Sequence, residues 1–166
     1  MKPLWVFIAF LLATSTIGAA GTHCDSRERA FFSCTVMGSE KVASLCGDAD
    51  GTNEATWVQY RFGALRRPEM VYPREKKGSQ EKFYAHFESH PEGGFREIWF
   101  RVGAYEYLIA SDHSLETGEK VDNHIVVYKD GKPIGNLQCE GTAADDLDSL
   151  RARILEANEH GFFKAK

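Results

Sequence analysis

Through the middle of the chain, apolar and polar residues alternate with a period of two. In residues 56–62, Val58, Tyr60 and Phe62 fall on one side, and Trp57, Gln59 and Arg61 on the other. Period-two alternation rich in aromatic and β-branched residues predicts a strand. Residues 82–88 align Phe83, Ala85 and Phe87, and residues 97–102 align Ile98, Phe100 and Val102. Residues 105–110 align Tyr105, Tyr107 and Ile109, with Gly103-Ala104 as a tight turn before them. Residues 124–128 and 134–139 flank Asp130-Gly131, a strong short hairpin signal. Two further β-like runs, 31–36 and 42–46, open the pattern. Strands at this spacing, separated by Gly, Pro, Asp and Asn clusters, predict a mainly β fold. The expected architecture is an antiparallel sandwich or open barrel of about eight to nine strands. Residues 47–53, 66–80, 89–94 and 111–121 read as irregular.

Near the C-terminus the period changes. Thr142 followed by Asp145 resembles a helix N-cap, and Leu147, Leu150, Ile154 and Leu155 share a helical face. One amphipathic helix over residues 143–159, stopped by Gly161, is expected to cover the sheet.

The N-terminus follows another pattern. Lys2 precedes an unbroken apolar run over residues 4–13, and Gly18-Ala19-Ala20 supplies small residues. Basic, apolar and small residues in that order predict a secretory signal peptide over residues 1–20, cleaved after Ala20. The apolar run covers about half of the ~20 residues a bilayer-spanning helix needs. His23 immediately before Cys24 argues against a lipid-modified cysteine. What remains is one domain, residues 21–166. Loss of Lys2 takes the net charge from −4 to −5. A mildly acidic domain has no global attraction to nucleic acid or anionic lipid, so neither is expected as a partner. No membrane span is expected after cleavage, and oligomeric state is left open.

All four cysteines, Cys24, Cys34, Cys46 and Cys139, lie beyond the leader. An even count in an exported chain predicts two disulfides. A three-residue turn at 39–41 would set Cys34 opposite Cys46, leaving Cys24 to pair with Cys139. No Cys-x-x-Cys is present, so neither a metal site nor a redox pair is expected of these cysteines.

Chemical signatures are few. His86 and His90 are four apart, but near the end of a strand such residues are poorly placed to share an ion. His124 follows Asp122 by two, and His113 adjoins Asp112 in a polar stretch. Asp48-x-Asp50-Gly51, with Asn53 and Glu54 nearby, matches only part of a calcium loop and also suits a turn. Ser111-Asp112-His113 has the residue types of a triad, but consecutive residues point in different directions. No Gly-x-Ser-x-Gly, phosphate-binding loop or dinucleotide fingerprint occurs. The expectation is therefore no catalytic residue, no metal and no cofactor. Arg66, Arg67, Arg74, Lys76 and Lys77 make residues 66–77 basic and form the candidate binding loop. Residues 111–121 are a second candidate contact stretch. Trp57, Trp99, Tyr105 and Tyr107 are candidates for an aromatic surface, if they do not lie in the core.

Three segments carry a resemblance: Phe32-Ser33-Cys34-Thr35, Lys41-Val42-Ala43-Ser44-Leu45-Cys46 and Val58-Gln59-Tyr60-Arg61-Phe62-Gly63. Together with Gly103, Tyr105 and Tyr107, then Gly131-Lys132-Pro133-Ile134 and Leu137-Gln138-Cys139, they resemble small exported bacterial proteins of uncharacterised function. That resemblance covers roughly residues 31–141 and implies export and a compact β fold. It brings no catalytic residue. The overall format also resembles periplasmic lysozyme inhibitors, whose Ser-Gly-containing inhibitory loop is not found in this sequence.

These features point to a periplasmic or secreted, non-enzymatic domain that binds a protein or cell-envelope component. Two other classes stand beside it: an inhibitor or immunity-type protein against a cell-wall hydrolase, and a hydrolase with an unrecognised carboxylate pair.

Overall fold

The computed structural model describes residues 21–48, 57–115 and 120–156. Ten strands form one continuous sheet: β1 (Glu28–Val36), β2 (Lys41–Asp48), β3 (Val58–Ala64), β4 (Arg67–Tyr72), β5 (Phe83–His90), β6 (Gly93–Val102), β7 (Tyr105–Ser114), β8 (Lys120–Lys129), β9 (Lys132–Asp145) and β10 (Leu155–Glu156). Their order is β10-β5-β6-β7-β8-β9-β1-β2-β3-β4. Two antiparallel meanders, β1–β4 and β5–β9, are joined by the 14-residue β9. Its first half pairs with β8 and its second half with β1. The sheet does not close, since β4 and β10 remain at its ends. The mainly antiparallel open sandwich or barrel expected from the alternation is the fold observed.

The halves fold over one another through aromatic side chains. Phe100 on β6 lies 5.0 Å from Tyr60 of β3, 4.8 Å from Tyr72 of β4 and 5.3 Å from Phe83 of β5. Tyr107 stacks on its other side at 5.1 Å. Each such pair adds about 0.5–1.5 kcal/mol beyond the area it buries. Phe31, Phe32, Leu45, Ile98, Ile109 and Ile125 complete the core. Gly103-Ala104 and Asp130-Gly131 are two-residue hairpin turns, with φ of 60° at Gly103, 50° at Asp130 and 75° at Gly131. Those positive values suit the primed turns that match strand twist.

Three expectations are corrected. First, Cys24 bonds Cys46 and Cys34 bonds Cys139, with Cα atoms 5.3 and 5.5 Å apart. The β1–β2 turn sits earlier than expected, so Thr35 faces Val42 and Cys34 faces Ala43, while Cys46 faces Ala30. Cys34 is therefore out of register with Cys46 but lies beside β9, where Val36, two residues on, pairs with Cys139. Second, residues 66–80 are not wholly irregular. Arg67–Tyr72 is an edge strand, which tolerates Pro68 and packs Met70 and Tyr72 against the core. The strands also run further than expected into residues 89–94 and 111–121. Third, no helix occupies residues 143–156. Residues up to Asp145 extend β9 against β1, which removes the expected N-cap. Leu147–Leu150 is then a single 3-10 turn, and Leu155–Glu156 adds to β5 in parallel. Leu147, Leu150 and Ile154 are buried, so the apolar spacing marked burial without requiring a helix. Residues 157–159 of the expected helix lie outside the described residues.

Candidate functional site

The outward face of β3 carries Gln59 and Arg61, yet both are buried. The cover is residues 21–28, held over β2 and β3. Cys24 is bonded to Cys46, the Ser33 hydroxyl donates to the Gly21 carbonyl at 2.8 Å, and the His23 amide donates to Ser44 Oγ at 3.0 Å. His23 is 8% exposed, and its Nε2 lies 3.2 Å from both the Val42 and Gly63 carbonyls. Carbonyls only accept, so the proton sits on Nε2. Its Nδ1 is buried with no hydrogen-bond partner among the described residues.

Glu28 is the electrostatic centre of this region. Arg61 Nη1 and Nη2 donate to its two oxygens at 2.6 and 2.9 Å, and Lys76 Nζ donates at 2.8 Å. Burial alone would raise this carboxyl, but bonds from Arg61, Lys76 and the Asp25 amide outweigh it and hold the pKa down to about 2. Arg61 also donates to the His23 carbonyl and to Gln59 Oε1. Gln59 Nε2 donates to the Pro73 carbonyl at 2.8 Å, so the network ties the N-terminal cover to the chain after β4.

Beside this network lies a cleft of about 510 Å³, walled by His23, Asp25, Gln59, Arg61, Arg66 and Pro68 among others. Arg66 stands at the β3–β4 turn with φ 63°, a left-handed conformation that a non-glycine residue adopts at a cost. Among the described residues, Arg66 makes no ion pair or hydrogen bond, in contrast to Arg61 beside it. A planar guanidinium without such partners, lining a cleft, suits a carboxylate or phosphate.

The basic residues singled out in the sequence divide into two groups. Arg66 lines the cleft, and Arg67 begins β4 and is exposed. Arg74 and Lys77 are exposed beyond β4. Lys76 is part of the scaffold, bound to Glu28 with its Nζ 4.0 Å from the Trp57 ring centroid. The aromatic candidates also divide. Tyr107 is in the core stack, Trp99 is buried, and Tyr105 is 38% exposed beneath Lys129.

Several other candidates are not brought together. His86 pairs with Glu97 and His90 with Glu92, at 3.8 and 3.4 Å. Burial, together with the charge of Asp112, pushes the Glu97 carboxyl up to about 7. Ser111 donates to Asp145 at 2.7 Å on the opposite side of β7 from Asp112, so no triad forms. Asp48 binds Arg153 at 3.0 Å, and residues 50–54 lie outside the described residues. The Glu28–Arg61 pair escaped sequence reading. Its one signal was the polar side of β3, which has a buried partner only because residues 21–28 cover it.

Two disulfides fit an oxidising, exported environment. Among the described residues no helix is long and apolar enough to cross a membrane. Comparison of the chain with protein-family models, curated proteins and solved structures finds no match in any of the three.

Proposed function

We propose that this chain is an exported, non-enzymatic binding domain that recognises an anionic group of a protein or cell-envelope component at the cleft beside Arg66. The observation carrying this reading is the contrast between two neighbouring arginines. Arg61 is neutralised by Glu28, whereas Arg66 is held at positive φ and unpaired among the described residues. Backbone strain retained at a charged, exposed turn is a reason to look for function there. The disulfide of Cys24 and the Glu28 network make the cleft wall rigid, which lowers the ordering cost of binding. Among the described residues Asp25 is the one carboxylate that lines the cleft, which does not match the carboxylate pair of a glycosidase.

The test is amide chemical-shift mapping of the oxidised chain, residues 21–166, during titration with a component captured from a cell-envelope extract. Shifts centred on Thr22, His23, Gln59 and Arg66 are expected. Arg66→Ala is expected to weaken affinity about 10- to 100-fold, the value of one charge-assisted contact. Shifts confined to another face, with full affinity in the variant, would overturn the assignment. If the captured component is a wall hydrolase that is inhibited at equimolar ratio, the domain is an inhibitor working through the same cleft.

A further inference from the structure

On the outward face of the β5–β9 meander, Asp112 of β7 stands directly opposite Asp122 of β8, and Ala110 stands opposite His124. Asp122 and His124 are two apart and share a face, so the register converges three side chains. His124 Nδ1 lies 4.0 Å from Asp112 Oδ2 and 3.9 Å from Asp122 Oδ2, too far for a hydrogen bond to either. That nitrogen is buried and has no hydrogen-bond partner among the described residues. Like charges directly opposite on paired strands disfavour each other.

A cation between them would satisfy the imidazole nitrogen and both carboxylates at once. One ligand atom from each of the three residues lies within 4.8 Å of the others. With the distances above, the point equidistant from the three atoms and in their plane lies roughly 2.5 Å or less from each. First-row metal–nitrogen and metal–oxygen bonds are about 2.0–2.2 Å, which sets tetrahedral ligand atoms about 3.3–3.6 Å apart, so the two half-exposed aspartate side chains close in by roughly 0.5–1 Å to complete the coordination. The two aspartates are about half exposed, which gives an ion a path from solvent.

We propose that Asp112, Asp122 and His124 form a binding site for a first-row divalent cation of the zinc type. One imidazole and two carboxylates suit such an ion better than calcium, which takes six to eight oxygens. Three protein ligands leave a fourth position for water or an exogenous donor. The sequence showed Asp122-x-His124 but not the third ligand, since Asp112 is joined to them only by the β7–β8 register. The site lies on β7 and β8, apart from the Arg66 cleft, and does not depend on it.

The experiment is calorimetric titration of the chelator-treated, oxidised chain with Zn2+, followed by Co2+ absorption spectroscopy. One saturable equivalent is expected, weakened at least about tenfold by His124→Ala and by Asp112→Asn with Asp122→Asn. His86→Ala and His90→Ala are expected to leave it unchanged. Visible Co2+ bands are expected in the wild type and lost in His124→Ala, with far-ultraviolet circular dichroism confirming that each variant is folded. Absence of binding up to millimolar Zn2+ would overturn the proposal. So would binding that survives both ligand substitutions.

Discussion

Replacing Glu28 with Gln removes the charge at the centre of the N-terminal network while preserving shape. Arg61 and Lys76 then face a neutral amide, and the buried Arg61 loses its counter-charge. A carboxyl held at about 2 rather than 4.5 reflects about 3.4 kcal/mol of preference for the ionised form. Lys76 is 48% exposed, so solvent screens that side and trims the contribution to about 2–3 kcal/mol. Because the folded-state carboxyl is depressed, this stability is fully present above pH 4.5 and is lost as pH falls through about 2. Urea unfolding of oxidised wild type and Glu28→Gln across this range measures the difference. The variant is expected to be about 2–3 kcal/mol less stable at pH 7, with the gap closing toward pH 2. A gap below about 0.5 kcal/mol at pH 7, or one that is the same at both pH values, would refute the reasoning.

Non-reducing peptide mapping is expected to recover Cys24 linked to Cys46 and Cys34 linked to Cys139, and a Cys34–Cys46 peptide would contradict the register. Removing the Cys34–Cys139 bond is expected to cost more than removing Cys24–Cys46. Their sequence separations of 105 and 22 correspond to about 4.8 and 3.4 kcal/mol on the chain-entropy model. Arg66→Gly relieves the positive φ and is expected to raise the urea midpoint by the equivalent of about 1 kcal/mol while weakening ligand binding. Gly93→Ala would put a Cβ 2.0 Å from the His113 carbonyl oxygen, and thermal unfolding is expected to show a loss of at least about 2 kcal/mol.

Where one face of a strand is core, the fold was legible in the sequence. Val58 and Tyr60, Phe83 and Ala85, and Ile98 and Phe100 all bury the side that alternation assigned them. Hairpins at Gly103-Ala104 and Asp130-Gly131 were legible because turn geometry selects particular residues. Register was harder. Placing the β1–β2 turn a few residues late exchanged the disulfide partners, since pairing of Cys34 depends on β9, more than a hundred residues away. The helical spacing of Leu147, Leu150 and Ile154 reported burial, but one 3-10 turn buries the same residues. At the cleft, Arg66 was visible as part of a basic run. Its separation from Lys76, which turns inward to Glu28, was not, because charge composition says nothing about which cation has a partner. The Asp112–Asp122–His124 convergence was equally hidden, being a product of strand pairing.

The most direct test of the central claim is quantitative capture from a cell-envelope extract. Three baits are compared: the oxidised chain (residues 21–166), the same chain with Arg66, Arg67 and Arg74 changed to Ala, and a reduced, alkylated chain. A component retained stoichiometrically by the first bait and depleted at least about tenfold on the other two is expected. Equal retention by the arginine variant, or no retained component at all, would contradict recognition through this cleft.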